Sequence, residues 1–170
     1  MKLLPRLLVP SLLCLLHSVS LAGAAGNPEV FIEGLTCSAG AHGLRMPATL
    51  PELMRLGRVQ QESVQGVEQW EGYTATRKTV SFPGLVLGIV TFSNQADRYM
   101  LSSAEISAAT WQKLSPYAVG QPVKAVRSVL GAASADDTEL RSTYTGENDS
   151  IRFETVGGKV SKIVYQCYTG

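Results

Sequence analysis

Residues 59–106 are dense in β-branched and aromatic side chains and are broken by turn dipeptides where helix caps would otherwise be expected. Such side chains lose χ1 freedom in a helix and pack well on a pleated surface, so this run predicts successive antiparallel strands. Pro83-Gly84 and residues 94–97 supply the turns. The stretch Leu85-Val86-Leu87-Gly88-Ile89-Val90 has no polar side chain at all, which places it as a central strand, covered on both faces or carrying a binding surface on one.

On either side of this run the chain signals short helices. Thr49-Leu50-Pro51-Glu52 has the capping-box spacing, with a helix expected to residue 56 and Gly57 as its stop. Gly120-Gln121-Pro122 opens a second helix over residues 123–130, ended by Gly131. A brief strand at residues 29–33 precedes the first helix. Residues 107–117 form a connector around Trp111. Strands at 140–145, 151–156 and 160–167 follow the second helix, the last two joined by Gly157-Gly158, a strong two-residue hairpin signal. The expected fold class is therefore α+β: two helix-plus-antiparallel-strand units with helices packed on one face of an antiparallel sheet. A tandem repeat over residues 43–106 and 119–167 would set Trp70-Glu71-Gly72 opposite Tyr144-Thr145-Gly146.

Hairpin register assigns faces. A Gly157-Gly158 loop puts Val156 opposite Lys159, and uninterrupted pairing then groups Ile151, Phe153, Thr155, Val160 and Val164 beneath the helices. Arg152, Glu154, Ile163, Tyr165 and Cys167 take the other face. Across Pro83-Gly84, Val80, Phe82, Leu85, Leu87 and Ile89 face the helices, leaving Tyr73, Arg77, Val86, Val90 and Phe92 opposite. Carrying the register through residues 94–97 adds Tyr99 and Leu101 to that open side. Tyr73, Arg77, Phe92, Tyr99, Arg152, Glu154, Ile163 and Tyr165 are thus the candidate partner-binding residues, since aromatics with Arg on a broad surface make protein-binding hot spots. A slip of one residue would exchange the faces.

The chain begins with Lys2 and Arg6, an apolar run over residues 7–21, and the small residues Ala22-Gly23-Ala24, the pattern of a signal peptide covering residues 1–24. Residues 25–170 then form one domain, long enough for a single core. Leu13 before Cys14 does not suit lipidation, so no stable membrane anchor is expected after cleavage. The mature domain retains Cys37 and Cys167, which in an oxidising periplasmic or secreted setting are expected to form a disulfide. Hydrophobic residues at 45% and charged residues at 17% exclude a disordered or coiled-coil chain. Once Lys2 and Arg6 are removed, charge balances to about −1 with basic residues scattered singly, which argues against nucleic-acid binding.

Nothing in the residues points to catalysis or a cofactor. His42 stands alone in a Gly/Ala-rich loop without a nucleophile motif, and no phosphate loop, dinucleotide fingerprint or zinc-ligand spacing occurs. The acidic groups Asp136, Asp137 and Glu139, and Glu147 with Asp149, lack calcium-loop spacing and read as solvated turns.

Val119-Gly120-Gln121-Pro122 through Val129-Leu130-Gly131, with Ile151-Arg152-Phe153 and Lys159-Val160-Ser161-Lys162-Ile163, resembles the BamE/SmpA outer-membrane module and the tandem modules of β-lactamase inhibitor proteins. The resemblance implies helix pairs on one antiparallel sheet whose other, concave face meets a protein partner. The expected function is an exported, non-enzymatic protein that binds another protein, as an inhibitor or immunity-type protein occluding an envelope-acting enzyme or toxin. An envelope assembly or scaffold subunit, and a small ligand carrier or enzyme, are the alternatives.

Overall fold

The computed structural model describes residues 29–130 and 143–169. The leader, Gly131, and Asp136, Asp137 and Glu139 lie outside them. In chain order the elements are β1 (Val30–Phe31), α1 (Leu50–Leu53), β2 (Gln61–Trp70), β3 (Tyr73–Phe82), β4 (Leu85–Phe92), β5 (Gln95–Ile106), a 3₁₀ turn (Ala109–Trp111), α2 (Val123–Leu130), β6 (Thr143–Thr145), β7 (Ser150–Val156) and β8 (Lys159–Gln166). All eight strands join one sheet, in the order β1-β6-β7-β8-β5-β4-β3-β2. Among the described strands, only β1 with β6 runs parallel.

This overturns the expected pair of helix-plus-strand units. The Thr49 capping box forms as read, with Glu52 N–H donating to Thr49 Oγ1, but α1 is a single turn of four residues. Pro47, Pro51, Pro116 and Pro122, with Gly40, Gly43, Gly57 and Gly120, punctuate the segments above the sheet, so most of them run as loop. α2 is the longer helix, and its start is tied to the β7–β8 hairpin by Val123 N–H donating to Gly158 O.

The two segments expected to correspond, Trp70-Glu71-Gly72 and Tyr144-Thr145-Gly146, hold different places among the described strands. Trp70 and Tyr73 face each other across a two-residue hairpin, whereas Tyr144-Thr145 pairs in parallel with β1. Gly146 lies so close to Leu35 that an added Cβ would stand 2.2 Å from the Leu35 carbonyl oxygen. Strands β2–β5 are joined to β6–β8 through pairing of Ser103–Ile106 of β5 with β8, which makes one continuous core.

One face of the sheet carries that core. Val80, Phe82, Leu85, Leu87, Ile89, Ala104, Ile106, Ile151, Phe153, Ile163 and Tyr165 are buried there, under Leu35, Leu44, Leu53, Leu114, Tyr117, Val126 and Leu130 of the covering segments. The Pro83-Gly84 turn pairs Phe82 with Leu85 as expected. Gly84 has φ +75, the sign a Pro-Gly type II turn requires, and the turn is pinned by Trp111 Nε1 donating to Pro83 O and Ser107 N–H to Gly84 O. Gly157 and Gly158 have φ +57 and +73, as a type I′ hairpin demands.

A disulfide joins Cys37 to Cys167, Cα atoms 5.6 Å apart. Beside it Asp149 accepts from Cys37 N–H through Oδ2 and from Tyr168 N–H through Oδ1, each at 2.7 Å.

Candidate functional site

The face opposite the covering segments is open. At its β2–β4 end the tight β2–β3 hairpin brings Trp70 beside Tyr73, whose rings stack with centroids 6.2 Å apart and planes 5° from parallel. Tyr73 meets Phe92 edge to face at 6.0 Å. Val90 pairs with both Arg77 and Met100, which carries the apolar strip onto β5. Trp70 is 57% exposed and Met100 38%, although both are large apolar side chains. Below them Ala75 and Val90 are buried.

Two hollows flank the Tyr73–Phe92 ridge. One, of about 320 Å³, is lined by Tyr73, Phe92, Asn94, Gln95, Arg98, Tyr99 and Met100. The other, of about 290 Å³, includes Trp70, Tyr73, Phe92, Met100, Glu68 and Arg77. In the second, Arg77 Nη2 lies 2.7 Å from Glu68 Oε1, so its charges are matched.

Of the residues expected on the open face, Tyr73, Arg77 and Phe92 are brought together here. Arg152 and Glu154 share the face but belong to a separate charged cluster on β7 and β8, where Lys162 Nζ is 3.3 Å from Glu154 Oε1 and Arg152 Nη1 is 3.6 Å from the same oxygen. Three to four strand spacings, roughly 15–20 Å, part the two groups. Val164 is buried between Arg152 and Glu105 on its neighbouring strands, on the open side.

Tyr99, Ile163 and Tyr165, expected on the open face, lie on the covered side instead. β8 carries an extra residue, Ser161: Thr155 pairs with Val160 but Glu154 with Lys162. That bulge turns Ile163 and Tyr165 into the core, both fully buried. On β5 the turn is tighter than expected, with Phe92 opposite Gln95, and three further residues are taken up before Thr91 pairs with Tyr99. Tyr99 and Leu101 therefore lie on the covered side. The Tyr99 hydroxyl donates to Pro47 O at 2.6 Å, and burial, with Glu52 nearby, pushes its pKa up to about 12.

Trp70 and Met100 are site residues that the face assignment missed. The Glu71-Gly72 dipeptide held the signal for Trp70, because a two-residue turn there sets it against Tyr73. Met100 came into place through the same β5 irregularity that removed Tyr99.

A buried polar group sits on the covered side. His42 Nδ1 is 2.6 Å from Tyr117 Oη, and Tyr165 Oη is 2.8 Å from Ser115 Oγ and donates to His42 O at 3.2 Å. Burial lowers the His42 pKa and raises those of both tyrosines, with Ser115 partly opposing the rise at Tyr165. All four groups hold the loop of residues 38–43 and the 112–118 segment onto β8. A third hollow, of about 340 Å³, borders the disulfide. Its carboxylate, Asp149, is occupied by two backbone N–H groups. Among the described residues no group of three or more His, Cys, Asp or Glu is placed to hold a metal ion, and no helix is long and apolar enough to cross a membrane.

The chain matches no family model, no curated protein and no solved structure. The disulfide fits an oxidising, extracellular or periplasmic setting.

Proposed function

We propose that this is an exported, non-enzymatic protein that binds another protein through the open aromatic end of its sheet and occludes that partner, as an inhibitor or immunity-type protein of an envelope-acting enzyme or toxin. The observation that carries the reading is the contiguous Trp70–Tyr73–Phe92–Met100 strip, uncovered over two hollows and flanked by arginine. Rigid aromatics offer large contact area at low entropic cost, and arginine anchors dominate binding energy at such surfaces. The disulfide supports export, as does the signal-like start of the chain. His42, the histidine of the mature chain, is engaged with Tyr117 in the core, which supports a structural role for it over a catalytic one.

The test is affinity capture from envelope extract with the wild type and with Trp70→Ala/Tyr73→Ala, followed by assay of the captured enzyme with each protein added back. The double variant should fold, because Trp70 is exposed and Tyr73 partly so. It should lose about 2 kcal/mol or more of binding and the inhibition with it. Equal capture by both proteins removes this surface. Stable capture of a membrane complex without inhibition would replace occlusion by an assembly role.

A further inference from the structure

The two hollows beside the Tyr73–Phe92 ridge differ in charge. In the one containing Trp70, Arg77 and Glu68 neutralise each other at 2.7 Å. In the other, Arg98 is the only charged side chain of the lining among the described residues. Its Nη1 donates to Gln95 Oε1 at 3.3 Å, and no carboxylate of the described residues lies within ion-pair distance. Asp97, its neighbour in the chain, does not line the hollow. A guanidinium has five N–H donors in a planar fork, so most of its capacity is unused here. Tyr73, Phe92 and Met100 give the lining its apolar part, and Asn94, Gln95 and Tyr99 complete it.

We infer that this hollow takes an acidic-hydrophobic segment of the partner: an aromatic or aliphatic side chain against Tyr73, Phe92 and Met100, with an adjacent carboxylate on Arg98. The inference rests on the protein-binding reading above and adds the chemistry of the partner to it. Charge complementarity selects the carboxylate, since a lysine or arginine brought to the same place would face Arg98 without compensation. The apolar wall selects the neighbouring side chain, because a carboxylate alone would leave the aromatic surface wet. Arg98 acts as the specificity element, and the ridge supplies the contact area.

The experiment uses isotope-labelled protein and capped hexapeptides Gly-Ser-Phe-Asp-Ser-Gly, with variants in which Asp is replaced by Asn or Lys, or Phe by Ala. Amide chemical shifts are followed up to about 10 mM peptide, a range that captures millimolar affinity. The Phe-Asp peptide should shift Tyr73, Phe92, Asn94, Gln95, Arg98 and Met100. The Asn and Ala versions should bind about three- to five-fold more weakly, the gain expected of one exposed charge pair or a partly buried ring. Arg98→Gln, at an exposed position, should keep the spectrum of the folded protein, bind the Asp and Asn peptides equally, and lose the salt dependence.

Equal binding of the Asp and Asn peptides by the wild type, preference for the Lys peptide, shifts located elsewhere, or no binding by any peptide would each overturn the inference. The two levels fail separately. If Trp70→Ala/Tyr73→Ala loses the natural partner while the peptides show no carboxylate preference, the docking surface stands and the partner chemistry falls. If the peptides bind as stated while partner capture is unchanged in that variant, the docking surface falls.

Discussion

Burial holds the His42 pKa below the ordinary 6.5, and its Nδ1 keeps a 2.6 Å hydrogen bond to Tyr117. The unfolded chain takes up a proton as the pH falls through 6.5, and the folded chain does so only at lower pH. Stability from this group is therefore complete above 6.5 and is lost as the pH drops toward the folded value. Urea unfolding measured between about pH 7 and about pH 5 should show the wild type weakening, with a shallower slope in His42→Gln. Tyr117→Phe tests the same contact from the other side. It strips Nδ1 of this partner within the core, and a loss of about 1–3 kcal/mol is expected at neutral pH by denaturant titration.

At the level of elements, the turns set what can be read and the bulges set what cannot. Gly84→Ala should cost about 2 kcal/mol or more in urea unfolding, since φ is +75 there and an added Cβ would stand 2.3 Å from Ala108 Cβ. The Pro83-Gly84 and Gly157-Gly158 hairpins, the capping box at Thr49, the start of α2 and the core face of β3 and β4 were legible, because each depends on residues next to one another in the chain. The faces of β5 and β8 were not. An extra residue such as Ser161 reverses every side chain beyond it, and a count that assumes strict alternation passes over it. A hint survives in Val160, Ile163 and Tyr165, whose spacing of three and then two departs from strict alternation and is what a bulge requires. Tyr73 and Phe92 were placed correctly, whereas Tyr165 was not, because no bulge intervenes between Phe92 and the turn that fixes its strand. The covering layer differs from the expected helices for another reason. Helical spacing in a four-residue segment cannot outweigh the prolines and glycines around it, and the buried leucines there are held by loop instead.

At the scale of the whole molecule, the disulfide closes a separation of 130 residues. Chain-entropy arithmetic gives about 5 kcal/mol for a loop of that length, so Cys37→Ala/Cys167→Ala, or wild type under reductant, should unfold at much lower urea than the oxidised protein, by up to that amount. Asp149 binds backbone on both sides of the bridge and should keep the site assembled in part after reduction. The sheet order holds one more consequence. β8 is the last of the described strands along the chain, yet it sits between β7 and β5 in the interior of the sheet. While a nascent chain emerges, the β2–β5 meander must wait with one long edge bare and its inner surface unsealed. Insertion of β8 both completes the sheet and brings Cys167 within reach of Cys37. A strand mispaired at that stage would carry Cys167 away from Cys37, so the bridge is expected to close only after β8 has paired, which trapping of free thiols during refolding would check.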